Sequence, residues 1–147
     1  MRGRDMRHSI RAAFAVTACI VASEAGAGCT WLSVADAESV LGSGVTDVSG
    51  EDAPTQCFFV GGSPHGTLIV QFGSREDYDR TTILQPHAPV DVGERGRSNV
   101  DSTGTTAVQF MQGGKSVILA ARSSQPGKRE YLDALIDVAR VIAGRLD

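Results

Sequence analysis

Residues 105–122 read TTAVQFMQGGKSVILAAR, and this stretch decides the fold class. Two runs rich in β-favouring residues, Thr105 to Gln112 and Lys115 to Arg122, flank Gly113-Gly114, which predicts a hairpin closed by a two-residue turn of the primed type. That turn sets Phe110 opposite Val117 and Val108 opposite Leu119, so all four fall on one face of the hairpin. The other face holds Gln109, Met111, Ser116 and Ile118 and is only half polar, which leaves room for partial cover by another element.

Downstream, Pro126 and Gly127 break the chain before a helix expected over about Lys128 to Leu146. Leu132, Leu135, Ile136, Ala139, Ile142, Ala143 and Leu146 recur at steps of three and four, while Asp133, Asp137 and Arg140 lie off that stripe. This helix is expected to cover the sheet. Upstream, Pro86 to Ser98 reads as connector, with a short edge strand at Val90 to Val92.

Further upstream a second hairpin is expected: Gln56 to Val60, a turn over Gly61 to Gly66, then Thr67 to Phe72 with Leu68, Val70 and Phe72 on one face. A helix follows from Ser74, with Asp77 three positions on as in a capping box, and runs to about Leu84. Its many charges leave Tyr78 and the Ile83/Leu84 end to face a core, so it should pack loosely or at an edge. The first helix of the chain spans about Ser33 to Leu41, capped by Ser33 with Asp36, stapled by Leu32 against Ala37 and ended by Gly42. Gly42 to Pro54 is a loop by composition; its Asp47, Glu51 and Asp52 lack the alternating ligand spacing of a calcium loop and read as a solvated acidic segment.

The resulting order predicts an α+β domain: an antiparallel twisted sheet built from two hairpins plus an edge strand, three helices packed mainly on one face, and a long C-terminal helix. The segments 56–84 and 107–146 both read strand, Gly-Gly turn, strand, helix. That pattern is expected of an internal duplication, but a hairpin followed by a helix also arises without one.

The N-terminus carries Arg2, Arg4, Arg7 and Arg11, then the uncharged run Ala12 to Ala22, then small residues, which is the grammar of a secretory signal. The apolar run is too short for a bilayer span, which needs about 20 residues. Ala25 and Ala27 supply the small side chains that cleavage needs, predicting removal of residues 1–27 and a single domain over 28–147. Of the three cysteines Cys19 leaves with the signal. Cys29 is then either lipidated, which leaves Cys57 an odd thiol, or bridged to Cys57, which uses both; parity and the glycine at position 26 favour the bridge. A bridge closing so long a loop contributes roughly 3.5 kcal/mol in the chain-entropy model. Without the signal, Lys and Arg fall from 14 to 10 and Asp and Glu from 17 to 15, so the net charge moves from −3 to −5. That balance, with no Lys/Arg run, argues against nucleic acid or an anionic membrane surface as partner.

Cys29-Thr-Trp-Leu-Ser33 leading into the helix VADAESVLG, the second cysteine in Gln56-Cys57-Phe58-Phe59, the segment Pro89-Val-Asp-Val-Gly-Glu94 and the closing amphipathic helix resemble small exported domains of unknown function, mostly cell-envelope lipoproteins of high-GC bacteria. Their pattern is Cys-x-Leu-Leu-Thr-x-x-Glu, a Leu-Gly helix end, a Cys-x-aromatic strand and a Val-Gly-Asp segment. The resemblance covers nearly the whole mature chain and implies a disulfide between Cys29 and Cys57. The chain departs from the pattern at Trp31, Asp36 and Glu94 and lacks the spacer that separates a lipidated cysteine from the folded domain. The family implies no catalytic residue.

Residue chemistry leads to the same place. His65 and His87 fall in loops without metal-ligand spacing, so no metal or cofactor is expected. Gly62-Ser63-Pro64-His65-Gly66 has histidine where a nucleophile elbow needs glycine among its flanks and is followed by a strand. Glu76, Asp77 and Asp79 stand in the first turn of a helix, where they satisfy its dipole. Trp31, Phe58 and Phe59 are the candidate binding residues, with Phe58 and Phe59 sent to opposite faces by strand alternation. The expected function is a non-catalytic exported binding domain of the envelope or extracellular space, taking a small apolar molecule in a cleft between sheet and helix or a protein surface. The alternative is a small acidic inhibitor of a secreted basic hydrolase, captured by charge.

Overall fold

A computed structural model describes residues 28–50, 55–81, 86–124 and 131–147. In chain order the elements are α1 (Val34–Leu41), β1 (Val45–Asp47), β2 (Gln56–Gly61), β3 (Gly66–Ser74), α2 (Arg75–Arg80), β4 (Ala88–Pro89), β5 (Arg95–Val100), β6 (Thr106–Gln112), β7 (Lys115–Ser123) and α3 (Leu132–Arg145). The strands form one antiparallel sheet in the order β1-β2-β3-β7-β6-β5-β4. The described residues are thus α+β, an open antiparallel sheet with three helices. Residues 1–27, expected to form a signal, the acids Glu51 and Asp52, and the Ile83/Leu84 end of the second expected helix lie outside the described residues.

At the tip of the β6–β7 hairpin Gly113 and Gly114 take φ of 57° and 74°, conformations that side chains rarely adopt. The ladder that follows pairs Phe110 with Val117 and Val108 with Leu119. In the centre of the sheet β3 pairs with β7 from Gly66–Ser123 to Ser74–Lys115, which puts Leu68 and Val70 in line with Ala121 and Leu119. Across β2 the same row continues through Cys57 and Phe59. This face is closed: Phe59, Leu68, Val70, Val108, Phe110, Val117 and Leu119 are fully buried, in one cluster with Ala37, Val40 and Leu41 of α1 and Leu135, Ala139 and Ile142 of α3. The buried stripe of α3 includes Val138 in place of Ile136, which is only partly buried.

Local chemistry starts the shorter helices. At α1 the Ser33 hydroxyl accepts from the Asp36 amide at 3.1 Å while the Asp36 carboxylate accepts from the Ser33 amide at 3.0 Å. Ser74 and Asp77 repeat this at α2. Leu32, just before α1, and Ala37 within it are both buried. The sulfurs of Cys29 and Cys57 lie 2.00 Å apart, at disulfide distance. The Asp47 carboxylate accepts from the Cys29 amide at 2.8 Å, so Asp47 tethers the start of the described chain. Burial pushes the Asp47 pKa up, but hydrogen bonds from the Ser49 side chain and the Cys29 and Ser49 amides outweigh it and hold it below 3.8.

Three strands depart from the expected pattern. Within the expected loop 42–54, residues Val45–Asp47 form edge strand β1 on β2. Within the expected connector 86–98, the edge strand is Ala88–Pro89 rather than Val90 to Val92, and Arg95–Val100 is a full strand on β6. Val90 to Val92 fold back over β5 instead: the Val90 amide donates to the Gly96 carbonyl at 3.1 Å, and Val92 drops into the core. Glycine permits this, because a Cβ at Gly96 would stand 2.6 Å from the Val90 carbonyl oxygen.

Helices α1 and α3 lie on the closed face, whereas α2 lies on the other, where its backbone and Thr81 meet Arg97 and Gln109. Antiparallel neighbours such as β3 and β7 are exchanged by a two-fold axis normal to the sheet, which keeps each helix on its own face. With α2 and α3 on opposite faces, the two strand-strand-helix units are not related by that axis.

Leu135 is fully buried and Val141, on the same helix, is 40% exposed. Leu135→Ala should therefore lower the urea unfolding free energy by about 2–5 kcal/mol. Val141→Ala should change it by no more than about 0.5 kcal/mol. Equal effects would misplace α3.

Candidate functional site

Strand alternation sends every second side chain to the face opposite α1 and α3. In the ladder these include Phe58 and Val60 on β2, Ile69 and Gln71 on β3, Ser116, Ile118, Ala120 and Arg122 on β7, Gln109 and Met111 on β6, and Arg95, Arg97 and Asn99 on β5. Among the described residues one short helix, α2, lies here. Helix α2 follows β3 without a linker because Ser74 both ends the strand and caps the helix. Hydrogen bonds from the Ser74 amide and hydroxyl hold the exposed Asp77 carboxylate below its ordinary pKa. The charges of α2 point to water and Tyr78 alone is buried, at 3% exposure.

Beneath α2 the sheet is polar. Gln109 is fully buried, and its Oε1 accepts from Arg97 Nε at 2.9 Å and Nη2 at 2.6 Å. Its Nε2 donates to Thr81 Oγ1 and to Ser116 Oγ, each at 3.2 Å. Arg97 Nη2 also donates to the Tyr78 carbonyl, and its guanidinium carbon sits 4.1 Å from the Tyr78 ring centroid. Arg95 approaches the same ring at 5.1 Å and pairs with Asp79 at 3.8 Å across exposed side chains. The buried Gln109 amide thus has its oxygen and both N–H donors paired, which offsets the free-energy cost of burying it.

The cluster divides the face into two parts. Towards β2, a cleft of about 340 Å3 opens beside the start of α2, lined by Gln56, Gln71, Gly73, Asp77, Ser116 and Ile118. It runs onto a region where Phe58, Val60, Ile69, Ile118 and Ala120 are only partly covered. Towards β4, a second cleft of about 350 Å3 is lined by Tyr78, His87, Pro89, Arg95, Gly96 and Arg97. Among the described residues, strand positions on this face carry Arg95, Arg97 and Arg122 and no carboxylate.

The three aromatic candidates do not converge. Phe59 is fully buried in the closed core and out of reach of any ligand, so it is a packing residue. Phe58 stands partly covered on the open face. Trp31 belongs to the opposite side: its ring lies 5.2 Å from Phe72, with the Lys115 ammonium 5.3 Å above it. The residues that sequence reasoning passed over are Arg95, Arg97 and Gln109. Their signal was an Arg-x-Arg alternation in a segment expected to be connector, together with one amide inside the apolar run Ala107 to Met111.

No known protein family, curated protein or solved structure matches the chain.

Gln109→Leu strips Arg97 of two hydrogen bonds and should cost about 1–3 kcal/mol in a urea melt. Ile118→Leu, on the neighbouring strand, should cost less than about 1.5 kcal/mol. An unchanged midpoint for Gln109→Leu would mean that the polar cluster does not stabilise the fold.

Proposed function

We propose that this is an exported, non-catalytic binding domain that recognises its partner with the α2 face of the sheet. The observation that supports the reading is the inequality of the two faces. One is sealed by two helices over fully buried side chains, whereas the other has a six-residue helix that buries one tyrosine and leaves Phe58, Val60, Ile69 and Ile118 partly open. Partly covered apolar side chains next to ordered polar groups are the composition of a binding surface.

Export follows from the charged N-terminus, the uncharged run after it and the small residues at 25 and 27, with a disulfide between Cys29 and Cys57 in an oxidising compartment. No helix among the described residues is long and apolar enough to cross a membrane. The placement of three arginines and no strand carboxylate on the open face suits a neutral or acidic partner there. The alternative of a basic hydrolase held by the net charge of −5 would need a different surface, such as the acids of α1 and α3.

The uncharged dye Nile red tests the apolar part of the face. Its fluorescence should rise on mixing with the folded protein and lose most of that rise in Ile118→Glu, whose near-native circular dichroism would show that the partly exposed site tolerates the change. An equal rise in the variant, or hydrolytic turnover abolished by one Asp or Glu substitution, would overturn the reading.

A further inference from the structure

The cleft on the β4 side of α2 has a chemistry of its own. Two guanidinium groups, Arg95 and Arg97, project from alternate positions of β5 onto one tyrosine ring, at 5.1 and 4.1 Å from its centroid. Like charges this close repel, and an acidic chain has little reason to gather them unless something anionic offsets them. Within the protein the offset is small: the Asp79 carboxylate reaches Arg95 at 3.8 Å, with both side chains 59% exposed. A pair so open to water contributes little and exchanges readily.

Arg97 is also held ready. Gln109 Oε1 takes Nε and Nη2, the Tyr78 carbonyl takes Nη2, and the Tyr78 ring supports the plane from below. Nη1 makes no hydrogen bond among the described residues, so two N–H donors of an oriented, permanently charged fork are uncommitted. Arg97 lines the same 350 Å3 cleft as Arg95 and His87. A planar fork with a second cation beside it matches an anionic group with two or three oxygens.

We propose that this cleft binds an oxyanion, a carboxylate or a phosphate group, on Arg97 and Arg95, with His87 at its rim. Arg97 gives direction through its fixed guanidinium, and Arg95 gives charge once it exchanges Asp79 for the ligand. This rests on the α2 face being a recognition surface, but it concerns a different cleft from the apolar one.

The test follows the arginine Nε–Hε signals of the whole exported protein by NMR during titration with sodium phosphate, sodium acetate and sodium chloride at constant ionic strength. Saturable shifts at Arg97 and Arg95 with phosphate or acetate, and none with chloride, are expected. Tighter binding of phosphate assigns a phosphate ligand, and tighter binding of acetate a carboxylate. Arg95→Gln, at an exposed position, should weaken binding at least about tenfold. It should leave the Nile red response intact, whereas Ile118→Glu should do the reverse. Shifts that never saturate, equal shifts with chloride, or unchanged affinity in Arg95→Gln would overturn the oxyanion site. If the Nile red response survived that result, only this cleft would be reassigned.

Discussion

The pairing of β3 with β7 is the constraint on which the domain depends. Each strand belongs to a local hairpin, but their mutual ladder, from Gly66–Ser123 to Ser74–Lys115, joins segments about 50 residues apart in the chain. It merges two hairpins into one sheet and fixes the register on both sides at once. Because side chains alternate, a slip of one residue would exchange Val70 and Leu119 for Ile69 and Ile118 and turn the core out to water. The same ladder therefore defines both the sealed face and the open one.

The two faces are stabilised by different physics. Under α1 and α3 the stabilisation is apolar burial, distributed over many fully enclosed side chains. Under α2 it is a small polar cluster centred on Gln109, with Arg97 stacked on Tyr78, a contact worth about 0.5–2 kcal/mol in general. Such a cluster keeps a short, charged helix in place without closing the sheet around it. The edges of the sheet offer a partner little: β1 has three residues, and β4 has two, one of them proline. Short or proline-bearing edges discourage strand addition, which is consistent with the binding surface proposed on the α2 face.

Much of this architecture was legible where local chemistry decides structure. Gly113-Gly114 sets its hairpin by backbone conformation alone, and Ser33 with Asp36, like Ser74 with Asp77, starts a helix through hydrogen bonds made within four residues. Strands β1 and β5 were not legible, because Val-Thr-Asp and Arg-Gly-Arg-Ser-Asn-Val have no apolar alternation and become strands only when β2 and β6 supply pairing. The stripe of α3 was readable in outline, though Val138 took the place of Ile136 once the helix was seated. At the site, alternation separated Phe58 from Phe59 correctly in principle, yet only the fold shows which one is sealed. Arg97 and Gln109 lie twelve residues apart and Gln109 and Thr81 twenty-eight apart, and no sequence pattern announces contacts of that range.

Along β3 and β7 neighbouring side chains face opposite surroundings, and this alternation decides which face of the sheet is open. It is tested most directly by methyl NMR of the native protein with an inert, uncharged gadolinium chelate in the solvent. Strong relaxation enhancement is expected at Ile69 and Ile118, and weak enhancement at Val70, Val117 and Leu119, one position away on the same strands. Uniform enhancement along β3 and β7, or the reverse alternation, would contradict it.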